Sequence, residues 1–260
     1  MIPFERRDRA LVAELVRREF AGRYRGSVGG LAWSFVQPLF LIAVYTLAFG
    51  VILKASGGFP GGPPEYALRV FAGLIVFNAF AEVLARAPML VAGNPQFVRK
   101  VVFPLELLPW VLAIAATLHA LVATAVWFAG HAVLFGLPGP GALAFPLVIV
   151  AFFPLLLAAG WLLAAFGVLA RDTAPLAALA SHALLFATPV FYGLEAAPQW
   201  LRGVLLANPL AFPVEALRAT LFGAWPSALA LALFFALASA FAAACLALFR
   251  RLRPAFGDFV

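Results

Sequence analysis

The sequence predicts an all-α membrane protein with six transmembrane helices, an N-terminal amphipathic interfacial helix, and two short re-entrant helices between helices five and six. Three observations carry that prediction. Hydrophobic residues make up 65% of the chain and charged residues only 11%, with a mean hydropathy of +1.03, whereas a soluble domain has about 45–50% apolar and ~25% charged residues. No charge stands between Arg25 and Lys54, a run of 28 residues, and about 20 apolar residues cross the ~30 Å hydrocarbon core as a helix. The run between Glu106 and Arg171 is also uncharged, for 64 residues. As a single helix it would be roughly 96 Å long, so it must fold back, and GLPGPG at 136–141 is the place.

The elements follow in order. Within residues 1–25, Leu11, Val12, Leu15 and Val16 share one helical arc, with Arg7, Glu14, Arg17 and Arg18 largely opposite. That pattern suits a helix lying in the membrane interface. Asp8 and Glu19 interrupt the apolar arc, and a solvated charged arm is the plainer alternative. The spans lie at about 28–53, 66–91, 105–135, 142–169, 176–192 and 225–249. KASGGFPGGPPE connects the first two and is rich in the residues that make loops. Between the fifth and sixth spans, residues 193–225 are amphipathic and contain Pro198, Pro209 and Pro213. Two pieces, near 197–206 and 212–222, are helix-sized but too short to cross a bilayer. Such pieces pack against protein as re-entrant or interfacial segments, and Trp200 and Trp225 suit the headgroup boundary. On composition they serve equally well as a gate or as an inert cap.

Charge fixes the orientation. With the N-terminus inside, thirteen basic residues face the cytoplasm: Arg6, Arg7, Arg9, Arg17, Arg18, Arg23, Arg25, Arg99, Lys100, Arg171, Arg250, Arg251 and Arg253. The opposite side holds Lys54, Arg69, Arg202 and Arg218, and Arg86 falls within a helix. The positive-inside rule then places both termini in the cytoplasm. The pI near 10.5 is read the same way, as topology, and no nucleic-acid partner is expected. A lone Cys245 excludes an intrachain disulfide. The charged N-terminus lacks the features of a cleaved signal peptide.

No catalytic, cofactor-binding or metal-ligating set is visible. GxxxxGK[ST] is absent, so the chain is not itself a P-loop ATPase. His119, His131 and His182 lack metal-ligand spacing and read as packed or hydrogen-bonded helix residues. Glu82 and Arg86 stand four apart on the second span, the spacing of an intrahelical pair. Charge at membrane depth raises a functional hypothesis. A structural pair facing the bundle is the alternative. Aromatic side chains are plentiful on the first, second and fifth spans; they suit stacking on sugar rings, and equally ordinary packing.

The stretch RREFAGRYRGSVGGLAWSFVQPLFLIAVYTLAFGVIL (17–53) carries Arg23, Tyr24, Ser27, Gly30 and Trp33 in the pattern R-Y-x-x-S-x-x-G-x-x-W. NPQFVRKVVFPLELLP follows the second span, RDTAPL the fourth, and ATPVFYGLEAAPQWLRGVLLANPLAFPVEALRATLF surrounds the end of the fifth, before a closing RPAFGDFV. Taken in register, these motifs make the chain resemble the membrane permeases of ABC-2 type polysaccharide exporters, which export O-antigen, capsule or teichoic acid. The chain departs from the family at Leu105, where many relatives have a basic residue.

The resemblance implies one transmembrane domain over 1–260. Residues 93–104 become a coupling helix docking on a separate ABC ATPase subunit, with Pro95, Phe97, Arg99, Lys100, Phe103 and Pro104 as its expected contacts. ATP would bind that partner, leaving this chain without a cofactor of its own. Residues 193–225 become gate helices at the external mouth. Tyr45, Phe49, Phe71, Phe191 and Tyr192 are the expected aromatic lining of a glycan channel. Arg17, Arg18, Arg23 and Arg25 would meet the phosphates of a lipid-linked glycan, or simply anchor the chain on the inside. A homodimer in the inner (plasma) membrane is implied. Export of another amphiphile, such as a drug or lipid, is the nearer alternative. A proton-coupled carrier, resting on Glu82 and Arg86 alone, is the more distant one.

Overall fold

The computed structural model describes residues 6–24, 62–94 and 103–259, together with Trp33, Val36, Leu39, Phe40, Ala43, Val44, Leu47 and Phe59. Most of the first predicted span, 28–53, therefore lies outside the described residues. The described chain is helical, with no strand among the described residues. In order, the helices are α1 (Arg6–Tyr24), α2 (Pro63–Arg86), a short α3 (Met89–Ala92), α4 (Leu107–Phe135), α5 (Phe145–Leu169), α6 (Thr173–Ala187), α7 (Gln199–Ala207), α8 (Ala211–Leu221), α9 (Ala228–Leu252) and α10 (Phe256–Phe259).

Among the described residues, four helical stretches are long and apolar enough to cross a membrane: Pro63–Arg86, Leu107–Phe135, Pro140–Leu169 and Ala228–Ala255. They correspond to the predicted second, third, fourth and sixth spans. The predicted second span continued to 91, but α2 stops at Arg86. Pro88 has no N–H to continue the ladder, and the chain resumes as the separate turn α3. The predicted fifth span, 176–192, is instead the 15-residue helix α6, about 22 Å long. Its end is set by Pro189: the residue before a proline is pushed out of the α region, and Thr188 is extended at φ −101° and ψ 141°. The predicted fold-back at 136–141 is present, with Gly136 at φ +81°, a conformation open to glycine. The two short pieces predicted between the last spans are α7 and α8, which meet at a 96° bend. Asn208, again a residue preceding proline, is extended at the corner.

The core forms where α2, α4 and α5 meet, with α8 and the inner stripe of α9 packed on them. α5 is apolar all round, as a central helix should be, and buries Phe152, Leu156, Ala158, Trp161, Ala164 and Ala165. On α9 the buried residues Leu231, Ala238, Ala242, Cys245 and Phe249 recur at helical spacing, while Leu229, Leu233, Leu237 and Phe241 on its other side are exposed. α6 buries only Ala177.

The apolar arc of α1 is taken by protein. Val12, with Leu11, Leu15 and Val16, packs against Leu107, Val111 and Ile114 at the start of α4. Arg9, Glu14, Arg17 and Arg18 point outward.

Candidate functional site

Three polar assemblies interrupt this apolar bundle, and each joins segments far apart in sequence. The first lies where α1 meets α2. Arg86 donates from Nη1 to Glu82 Oε1 at 3.0 Å and from Nη2 to Glu19 Oε1 on α1. The second Glu82 oxygen accepts from His119 Nδ1 on α4 at 2.8 Å. Glu82 is only 9% exposed, so its charge depends on these partners. The cluster therefore ties three helices at one level. Glu19, which interrupts the apolar arc of α1, is there to reach Arg86.

The second assembly flanks residues 93–104. On the entry side, Pro88 presses so closely on α5 that a side-chain carbon at Gly167 would stand 1.9 Å from the Pro88 carbonyl oxygen. On the exit side, Glu106 occupies the N-cap position of α4, where an acid ordinarily caps its own helix, yet its side chain makes no such bond. It is 8% exposed and turns instead to Arg253, whose Nη1 donates to both carboxylate oxygens at 3.1 and 3.2 Å. Arg253 Nη2 also donates to the Phe103 carbonyl at 3.3 Å. Arg250 Nε stands 3.7 Å from the same carboxylate. Trp161 of α5 donates its indole N–H to the Glu106 carbonyl at 3.1 Å.

The third assembly is at the opposite end of α2. Arg218 of α8 is 2% exposed. Its Nε donates to the Arg69 carbonyl at 3.1 Å, and Nη2 to the carbonyls of Pro189 and Val190 at 2.6 and 3.0 Å. Nη1 donates to Glu215 at 2.8 Å. The guanidinium lies 4.6 Å from the ring centre of Phe59, while Arg69 lies 4.1 Å from that of Phe222 and pairs with Glu65 at 2.6 Å. A planar fork with several donors fits such a cage, where an ammonium would not. Nearby, Tyr66 donates to the Phe191 carbonyl at 3.2 Å. Asn208 fastens the α7–α8 corner to the end of α6 by donating to Ala187 and Thr188 at 3.0 and 2.9 Å.

The residues expected from the sequence are distributed as follows. Phe71 and Phe191, expected to line a channel, are 2% and 6% exposed and belong to the core of the chain; α2 is buried on every side from Val70 to Phe77, and Phe191 stands in the turn after α6. Tyr192 is half-buried and donates to the Phe186 carbonyl at 2.9 Å, and Tyr45 and Phe49 lie outside the described residues. Of the expected coupling residues, Pro95, Phe97, Arg99 and Lys100 lie outside the described residues. Phe103 is half-buried against the core, and Pro104 accepts the first turn of α4 through its carbonyl. Arg17 and Arg18 are exposed on α1, Arg23 is on its last turn, and Arg25 lies outside the described residues. Leu105, where the chain departs from its resemblance, is buried at 3%, a place that an unpaired charge would not tolerate.

Glu106, Arg218 and Arg253 were not singled out from the sequence as site residues. Arg218 left one trace, a lone cation within the apolar run PLAFPVEALRATLF. The histidines behave as expected of packed or hydrogen-bonded helix residues. His131 donates from Nδ1 to the Gly136 carbonyl at 2.8 Å and lies 4.9 Å from the Trp127 ring, and His182 bonds the Ala178 carbonyl at 2.7 Å. Each of the three assemblies can hold helices in register and pass displacement between them.

Comparison with known proteins agrees with this reading of the bundle. Residues 10–222 match the family profile described as ABC-2 type transporter. A protein of Myxococcus xanthus described as O-antigen export system permease protein RfbA is 29% identical over 214 residues, covering 78% of this chain and 76% of that protein. A Klebsiella pneumoniae protein of the same description is 23% identical over 203 residues, covering 77% of this chain and 76% of that protein.

Proposed function

The chain belongs to the ABC-2 type transporter family, and from that premise we propose that it is the permease subunit of an ATP-driven exporter. Its cargo on this reading is a polysaccharide, carried on a lipid, moving from the cytoplasmic side across the inner (plasma) membrane. The observation that carries the proposal is the family match over residues 10–222 together with relatives named for O-antigen export.

The permease crosses the membrane six times. The first crossing is residues 28–53, and α6, at about 22 Å, is the fifth. Both termini lie in the cytoplasm, and α1 rests at the inner surface with its apolar arc on α4. Two copies assemble, and the nearly unpacked helix α6 supports a partner copy or a passage beside it. ATP is bound and hydrolysed on a separate subunit. Residues 93–104 dock on that subunit, Arg99 and Lys100 facing an acidic groove.

A push on residues 93–104 has two outlets. On the entry side it reaches α3 and α2, and through Arg86 and Glu19 it reaches α1. On the exit side it reaches α4 and α5 through Glu106 and Trp161. At the other face, α7 and α8 form the external gate, with α8 held on α2 by Arg218. Tyr45, Phe49 and Tyr192 are the aromatic contacts of the glycan; Phe71 and Phe191 pack the wall behind them. Arg17, Arg18, Arg23 and Arg25 attract the phosphates of the lipid carrier. The compact pairing of Glu82 with Arg86 and His119 supports a structural part for these charges rather than a proton path.

The test is a pull-down of the tagged chain in mild detergent, with bound proteins identified and ATPase activity assayed. Recovery of a stoichiometric subunit bearing a nucleotide-binding P-loop is expected. A folded chain that recovers none would overturn the proposal.

A further inference from the structure

The turn after α9 belongs to none of the parts assigned so far, yet it grips the exit of residues 93–104. We propose that Arg253 is a positioning residue for transport: it fastens the exit end of the coupling segment to α9, so that a displacement of that segment moves α9 and α5 together. This rests on the proposed docking role of residues 93–104.

The geometry favours such a fastening over a chance surface pair. A single guanidinium reaches three acceptors: both oxygens of Glu106 and the backbone carbonyl of Phe103, at 3.1, 3.2 and 3.3 Å. The carboxylate it holds is almost fully buried and has given up the helix-capping bond that its position offers. The carbonyl it holds belongs to Phe103, within residues 93–104, so the contact reads backbone position directly. The Arg253 end is itself fixed. Phe256, fully buried in the turn that follows, packs edge-on against Phe249 of α9 with ring centres 5.3 Å apart. Arg250 adds a second cation on the same carboxylate at 3.7 Å.

A second contact completes the device. Trp161 holds the Glu106 carbonyl, and Gly167 receives Pro88 on the entry side. Both belong to α5 and stand six residues apart, about 9 Å along the helix axis. Both flanks of the segment thus stand on α5, one foot at Pro88 and the other at Glu106. Because α5 packs along α9 and Arg253 clamps the second foot to the end of α9, the two helices cannot take up a push separately.

The experiment uses the complete permease–ATPase complex with Arg253→Ala, Arg253→Lys, Glu106→Gln and the double variant Glu106→Gln/Arg253→Ala. Three quantities are read: ATPase subunit recovered per permease, ATP turnover of the complex in lipid vesicles, and polymer reaching the cell surface. Arg253→Ala is expected to retain the ATPase and hydrolyse ATP while exporting about ten-fold less polymer per ATP, a coupling loss of ordinary size. Arg253→Lys keeps the charge without the fork and is expected to fall between. The double variant is expected to be no worse than Arg253→Ala, because both changes break one clamp. Wild-type export per ATP in Arg253→Ala would overturn the inference. So would a loss of bound ATPase in step with export, which would make Arg253 a docking residue, and so would additive effects in the double variant. Should Arg253→Ala fail to reach the membrane, Arg253→Lys decides: undiminished export per ATP overturns the inference. Failure of the wild-type chain to bind any ATPase overturns the proposed function itself, and this inference with it.

Discussion

Arg86 of α2 and Glu19 of α1 are paired across 67 positions of sequence, and the same guanidinium holds Glu82 one turn back on its own helix. Arg86 is partly exposed while Glu82 is nearly buried, so the two sides of the cluster differ in cost. Removing the cation takes one partner from a nearly buried carboxylate and leaves it His119, whereas removing Glu19 leaves a partly exposed cation still paired with Glu82. Arg86→Ala is therefore expected to destabilise the protein by about 1–2 kcal/mol and Glu19→Ala by less than about 1 kcal/mol. Thermal unfolding in detergent, at roughly 2–4 °C per kcal/mol, checks the order. Equal shifts would show that Glu82 does not depend on Arg86.

Glu82→Gln keeps the shape of the side chain and removes its charge. A structural pair predicts a modest loss of melting temperature with export still driven by ATP. Abolished export at wild-type abundance would return Glu82 to the role of a proton carrier.

Arg218 is the most demanding polar residue of the fold. Its removal takes the guanidinium donors from the carbonyls of Arg69, Pro189 and Val190 in a buried site. Arg218→Ala is expected to cost about 3–5 kcal/mol, and Arg218→Lys should restore less than half, because the ammonium lacks the planar fork. Abundance in the membrane and thermal unfolding are the readouts; a stable Arg218→Ala protein would refute the cage.

Two glycines on helices should respond with opposite sign. Gly167 faces the Pro88 carbonyl with no room for a side-chain carbon, while Gly203 has nothing within 4 Å. Gly167→Ala is expected to destabilise by about 1–3 kcal/mol. Gly203→Ala is expected to stabilise by about 0.5–1 kcal/mol through helix propensity alone. Thermal unfolding of the two variants side by side checks the contrast.

Phe71→Ala removes a ring packed in the core, and the expected result is a loss of about 3–5 kcal/mol. Export per folded molecule should change little, as judged by surface polymer normalised to membrane abundance. A stable variant with altered export would instead return Phe71 to the channel.

Much of the helix plan was readable because membrane helices announce themselves by length and apolarity. α4, α5, the α7–α8 pair and α9 fall within a few residues of their predicted limits. The misplaced ends have local causes: Pro88 ends α2 early, and Pro189 ends α6 early. Helix rotation was not readable, because a helix apolar on most sides gives no periodic signal of its buried face. Phe71 lies in a stretch of α2 buried on every side, and Phe191 stands in the turn beyond α6, so both are buried within this chain.

The sequence by itself determined the class of protein, the positions of most helices and the family to which the chain belongs, since these depend on local composition and on motifs in register. The tertiary structure decided which charges work together. Glu19 with Arg86, Glu106 with Arg253, and Arg218 with the carbonyls of α2 and the 189–190 turn are each separated by at least 28 positions. A charge in an apolar chain states that a partner is needed, because burial without one is costly. Which partner it finds depends on how the helices pack, and no single stretch of sequence contains that.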